Sequence, residues 1–281
     1  MRLGKFGILL AVSSVLTACG GGGGGGDTAA STQPLFNQTA AGIWQTSSVV
    51  TSGPNLGATI KGGVIISPTG TYYNFSRNTT NGCASVGYGQ ISITGSNLSG
   101  NFQSAVVKLT TIPGVNVNCS LSDGSLTASG ALSGTVTTGQ SLAVTAAGQT
   151  ALGTPLPSET LTFTYSPLNS TPPSLATIAG NYKASSGVAV AINSSGAVSS
   201  TVNPTTGCSI SGSVSIPSAT NNVYSFAYTY ANCVGPYTAY NGVTVSGLAS
   251  YDSAVTPNLL ILGFNGTVNG KSVIGIETLS R

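Results

Sequence analysis

The 281-residue chain has only 5% charged residues and no histidine, and its eight basic and five acidic side chains leave a formal charge of +3. The missing histidine excludes Ser–His–Asp and Cys–His nucleophile arrangements and removes the commonest general base near neutrality. Lys61, Arg77, Lys108, Lys183, Lys271 and Arg281 are scattered, so no clustered basic patch exists for counterion-release binding, and no nucleic-acid partner is expected.

The chain opens with Arg2 and Lys5, an apolar run from Phe6 to Val15, and small residues after it, the layout of a secretory signal. About ten apolar residues cannot cross a hydrocarbon layer that needs about 20, so residues 1–18 read as a removed signal. Leu16-Thr17-Ala18-Cys19 resembles the lipobox of bacterial lipoproteins. The resemblance implies cleavage before Cys19, diacylglycerol on its sulfur and an acyl chain on its amino group. Two or more chains are what a stable anchor requires. Gly20 follows the cysteine, where enterobacterial lipoproteins retained in the inner membrane carry Asp, so the expected location is the outer membrane, on its periplasmic or surface face. The competing reading is an ordinary secretory signal with an unrelated cysteine.

Gly20 to Gly26 is an uninterrupted glycine run, and with the polar stretch to Ala40 it reads as a tether over 19–40. A coil of that length reaches about 25 Å on average and roughly 70 Å at full stretch. No strand precedes the glycines and no G-K-[ST] follows, which removes the phosphate-loop and dinucleotide readings.

Beyond the tether the chain repeats itself. Ala41-Gly42-Ile43-Trp44, Gly63-Val64-Ile65-Ile66, Gly70, Gly82-Cys83, Gly87 and Ile91 run in the same order as Ala179-Gly180-Asn181-Tyr182, Gly187-Val188-Ala189-Val190, Gly196, Gly207-Cys208, Gly212 and Ile216. Asn118-Cys119 and Asn232-Cys233 then lead to Ser133-Gly134 and Ser246-Gly247. This period is far longer than a solenoid repeat, so it predicts tandem domains over 41–166 and 179–281. The proline-rich segment 167–178 between them is expected to be a linker that few contacts cross and a protease could cut. An insertion around Ser52–Gly57 distinguishes the first copy. Four cysteines in an exported chain favour disulfides. Three pairings exist, and only Cys83–Cys119 with Cys208–Cys233 is the same in both copies. With no C-x-x-C pair and no histidine, a zinc site is not expected.

Gly, Ser, Thr, Asn and Val dominate, which disfavours long helices and suits strands. Short runs of alternating apolar and polar residues, bounded by Pro-Thr-Gly, Thr-Gly-Ser and Asn-Gly turns, predict about eight strands per module. The fold class is therefore all-β: two tandem antiparallel domains, each a small barrel of about eight strands, with a sandwich as the alternative. Tyr224, Phe226, Tyr228 and Tyr230 share one strand face, read as a barrel interior or an inter-module face. Asp123 and Asp252 sit beside turn residues, where Asp serves backbone hydrogen bonds. Glu159 and Glu277, near the last strand of each module, read as solvated strand residues and not as a catalytic pair. No catalytic residue, metal or cofactor is assigned. Tyr237, Tyr240 and Asn241, in a loop rich in Tyr, Gly and Asn, are the candidate binding residues, because Tyr gives rigid amphipathic contact.

These readings describe a membrane-anchored envelope or cell-surface lipoprotein, held through Cys19, acting as a non-catalytic binding or structural module for a protein or envelope component. A carrier enclosing a lipid or small apolar ligand in one barrel is the alternative, and an enzyme is a distant third.

Overall fold

A computed structural model describes residues 40–49, 59–78, 80, 82–108 and 119–281. Eight strands form the first module: β1 (Gly42–Val49), β2 (Thr59–Ile66), β3 (Thr71–Asn78), β4 (Cys83–Thr94), β5 (Asn97–Lys108), β6 (Thr127–Thr137), β7 (Ser141–Thr150) and β8 (Glu159–Tyr165). The second module has β9 (Gly180–Ala184), β10 (Ala189–Ile192), β11 (Ala197–Ser200), β12 (Ser209–Ser215), β13 (Tyr224–Ala231), β14 (Thr244–Asp252), β15 (Leu259–Val268) and β16 (Lys271–Ser280). Each strand runs antiparallel to its chain neighbour, and in both modules the last strand pairs with the first, so both sheets are closed barrels and not sandwiches. The turns have the chemistry their residues predict: Asn269 and Gly270 both take positive φ, 50° and 74°, in the tight β15–β16 hairpin.

Period-two alternation puts one face of every strand inside. Trp44, Val64, Ile66, Tyr72, Ile91, Ile93, Leu142 and Phe163 fill the first barrel. Tyr182, Val190, Ile192, Val214, Tyr224, Phe226, Leu260, Leu262 and Leu279 fill the second. The repeat has a structural basis at both ends of each barrel. Trp44 Nε1 donates to Ala40 O at 2.8 Å, and the Tyr182 hydroxyl donates to Ile178 O at 2.7 Å, so each first strand is locked to the carbonyl four residues earlier. At the opposite end Gly82 N donates to Asn78 O and Gly207 N to Asn203 O, at 3.0 and 2.8 Å. The side chains of Asn78 and Asn203 accept from Thr80 N and Thr205 N, each at 2.9 Å. Disulfides Cys83–Cys119 and Cys208–Cys233 close the same end of each barrel.

The segment between the two modules is packed. Pro167–Ser170 forms a 3-10 turn and Leu175–Ile178 a single helical turn, α1, and Ser166, Asn169 and Ile178 are buried. Asn169 grips β1: Ile43 N donates to its Oδ1 at 2.9 Å, and its Nδ2 donates to Ile43 O at 2.8 Å. Contacts also cross between the barrels. Ile43, Ile65 and Tyr73 on the outer face of the first pack against Val223 and Leu248 of the second, with Leu168 beside them. Val86, Ala105, Phe75 and Tyr88 meet Ile274 and Ile276. The Tyr73 hydroxyl donates to Ser246 O at 3.2 Å and is also hydrogen-bonded to Asn265. The reason is visible in Ile65-Ile66 and Tyr72-Tyr73, where adjacent apolar residues mark strands covered on both faces.

Asn169→Ala removes three buried hydrogen bonds, to Ile43 N, Ile43 O and Ser166 O, and leaves Ile43 N without its acceptor, at a cost of about 1–3 kcal/mol. The expected result is a melting temperature lower by several degrees, together with new proteolytic cutting within 166–178. An unchanged melting curve and no new cleavage would count against this role.

Candidate functional site

The residues with most chemical potential lie inside the second barrel. Phe226, Tyr228 and Tyr230 all point inward, as does Tyr224, whose hydroxyl accepts from Ser174 N at 3.1 Å. Phe226 and Tyr228 stack at 5.6 Å, and Tyr228 meets Tyr230 edge-on at 5.4 Å. Tyr230 meets Tyr240 edge-on at 5.6 Å, and Tyr237 lies 6.4 Å from Tyr240. An aromatic column thus runs from the 3-10 turn Gly235–Tyr240 into the barrel. Gly212 lies across the ladder from Tyr228, where an added Cβ would come within 2.1 Å of Ala227 O and 2.8 Å of the Tyr228 Cβ, so only glycine fits there.

Space remains beside these rings because the wall is uneven. β9, β10 and β11 have five, four and four residues, whereas β15 and β16 have ten each. β16 pairs with β9 only through Leu279↔Ala184 and Ser280↔Lys183. Where the short strands stop there is a cavity of about 100 Å³, lined by apolar residues including Val190, Val198, Ile210, Val214 and Leu262, by Phe226, Tyr228 and Tyr230, and by Glu277.

Glu277 keeps partial exposure, as expected of a solvated strand residue, but its register was not foreseen. The ladder pairs it with Leu262, in register with Leu260↔Leu279 and Gly266↔Val273, which puts it on the inner wall. Its Oε1 accepts from Ser185 Oγ at 2.7 Å, Ser185 N at 3.1 Å and Thr278 N at 3.1 Å. Its sequence counterpart Glu159 starts β8 of the other barrel, and its side chain lies outside the described residues. Asp123 accepts from Ser125 N and Asp252 from Ala254 N, each at 2.9 Å, as turn aspartates do. The Asp123 carboxyl is held well below the usual carboxylate range, first by the Thr150 hydroxyl. Among the described residues no group of three His, Cys, Asp or Glu side chains could hold a metal.

The loop residues are knitted into their own framework. Cys233 N donates to Asn241 Oδ1 at 2.7 Å, and Asn241 Nδ2 donates to Cys233 O at 3.0 Å. Tyr240 is buried and Tyr237 half-buried. Cys208, joined to Cys233, lines the cavity, so the disulfide ties loop to barrel wall. Cys19, the signal, the tether and Ser52–Gly57 lie outside the described residues. A second cavity of about 430 Å³ lies between the barrels, with Gln45, Lys61 and Tyr73 on one side and Ser250, Asp252 and Ile276 on the other. Sequence reasoning missed this cleft, the inward Glu277, and the Asn78 and Asn203 clamps. The first and last had a signal: both Asn residues precede their cysteines by five, and Asn181 and Ala189 replace Ile43 and Ile65 in the second copy.

No family model, no curated protein and no solved structure matches the chain.

The buried phenols bear on stability. Burial pushes Tyr228 well above 10.0, reinforced by the neighbouring Tyr230 and Glu277. It also raises Tyr230 and Tyr240, and it raises Tyr182 to about 12 against the opposing pull of Arg281. Folded phenols that hold their protons more tightly than unfolded ones stabilise the fold fully below pH 10.0, and that stability is lost as pH rises above it. The melting temperature should therefore be flat with respect to these groups from pH 7 to 9 and fall steeply between pH 10 and 12. Ultraviolet titration at 295 nm should show most tyrosines ionising only with unfolding, and early ionisation without unfolding would contradict this.

Proposed function

We propose that this chain is a non-catalytic binding module of a bacterial envelope, held to the outer membrane through lipid on Cys19. The observation that carries the binding reading is the cavity in the second barrel: a chiefly apolar recess with one carboxylate, two phenols and the polar side chains of Ser186, Ser200, Asn203, Thr206 and Ser213, beside the disulfide cysteine Cys208, which has the make-up of a small-molecule site. Its walls are set by strand pairing, so little has to be ordered when a ligand enters. The anchor reading rests on Leu16–Cys19 and is supported by the two disulfides, which form in oxidising compartments outside the cytoplasm.

Cavity size weighs between the two kinds of carrier. A cavity of about 150 Å³ takes benzene, so about 100 Å³ admits a group of a few heavy atoms and not a membrane lipid's long acyl chain. Its apolar lining still favours a small ligand with an apolar body. The absence of histidine leaves little for general acid–base work, and Glu277 is the one ionisable carboxylate in the recess.

Fractionation of cells making the full chain should place the mature protein in the membrane, with a mass showing acyl chains on Cys19. Cys19→Ser should leave it unprocessed or move it to the soluble fraction. Membrane retention without lipid on either protein would sink the anchor reading.

A further inference from the structure

We propose that the cavity of the second barrel binds a small methylated ammonium group, seated against Tyr228, Phe226 and Tyr230 with Glu277 as its counter-charge. The inference rests on the binding reading above and names the ligand class. Of the residues lining the cavity, Glu277 alone is charged, and neither Lys nor Arg lines it. Glu277 is only half-buried, its contacts with Ser185 are exposed, and its hydrogen bonds fall on one oxygen only. Oε1 takes all three donors, from Ser185 Oγ, Ser185 N and Thr278 N. Oε2 has no partner among the described residues, which leaves it available to a cation at the seam.

The rings supply the second half of the site. Tyr228 is on the inner wall and lines the cavity, with its side chain partly accessible. Stacked on Phe226 and edge-on to Tyr230, it offers π surface that attracts a desolvated cation, an interaction worth about 0.5–2 kcal/mol per ring. A primary ammonium would bring three N–H donors into a lining that is chiefly aliphatic, with Val190, Val198, Ile210, Val214 and Leu262, although Ser186, Ser200, Asn203, Thr206 and Ser213 also line it. Methyl groups on the nitrogen remove those donors, spread the charge and match the apolar lining. A neutral apolar ligand, in contrast, gives Glu277 nothing to pair with. A metal ion would find a single carboxylate where several ligands are needed.

Entry is at the seam. Ala184, the last residue of β9, and Ser186, in the β9–β10 turn, line the cavity with Glu277, where β9 ends and the rest of β16 is unpaired with it. The shared chemistry, a trimethylammonium, occurs both as free choline-type molecules and as a lipid headgroup.

The test is calorimetric titration of the intact mature protein with choline, with glycerophosphocholine and with 3,3-dimethyl-1-butanol, the uncharged carbon analogue of choline. Choline should bind about tenfold or more tightly than the alcohol. Glu277→Gln, which keeps an oxygen for Ser185, should weaken choline about tenfold and leave the alcohol unchanged. Tyr228→Leu should weaken choline, while Tyr228→Phe should retain it. Matching melting curves would show that these variants fold. Glycerophosphocholine binding more tightly than choline assigns a headgroup, and the reverse assigns a free ammonium; both support the proposal. Equal binding of choline and the alcohol, or no effect of Glu277→Gln, overturns the cation site and leaves the cavity as a binding site. Binding of neither overturns the cavity reading as well, while the anchor stands or falls on Cys19→Ser alone.

Discussion

Everything in this architecture depends on the closing pair of strands in each barrel. Two residue pairs are enough in both: Trp44↔Tyr165 with Gln45↔Thr164, and Leu279↔Ala184 with Ser280↔Lys183. A chain with 5% charged residues has few side chains with which to protect a sheet edge from pairing with another molecule, so leaving that edge open would invite aggregation. Closure removes the edge and obliges each barrel to fill its interior. A two-pair seam is weak by itself, and in both barrels the aromatic residue of the first strand backs it up. Trp44 and Tyr182 each hydrogen-bond the carbonyl four residues back while packing inward, and Trp44 also meets Tyr165 edge-on at 4.9 Å across the seam.

The same frame has been given two different contents. In the first copy Ile43 and Ile65 turn outward and are buried under the second barrel. In the second copy Asn181 and Ala189 hold the corresponding places and are exposed. One copy therefore carries the apolar patch that joins the barrels, and the other carries the surface it would otherwise have to hide. The strands diverge too: β3 and β4 have eight and twelve residues, whereas their counterparts β11 and β12 have four and seven. Shortening the wall is what leaves room beside Tyr228.

Much of the frame was legible in the sequence because it follows from local rules. Period-two alternation with Gly-containing turns placed the strands, and the duplicated spacing of Cys83, Cys119, Cys208 and Cys233 selected one disulfide pairing. What stayed hidden depends on which strands meet in space. Asn169 looked like one polar residue among prolines, yet it clamps Ile43 across 126 positions. Glu277 looked solvated because a carboxylate usually is, although its spacing from Val273 and Leu279 put it on the inner face. No rule of local sequence said that β9 would stop short of it.

An even number of strands brings the start and end of each barrel to one end of the cylinder. Ala40, Tyr165 and the 167–178 segment therefore share one end of the first barrel, and Ile178, Gly180 and Arg281 share one end of the second. Arg281 reinforces that end, donating to Ala179 O at 2.6 Å and lying over the Tyr182 and Tyr251 rings. The disulfides, the β9–β10 turn with Ser185 and the 235–240 loop are at the opposite end. Chain entry and inter-barrel connection are thus confined to one end, and the aromatic column and its carboxylate open toward the other. The cavity end is thereby kept apart from the segments that hold the two barrels together.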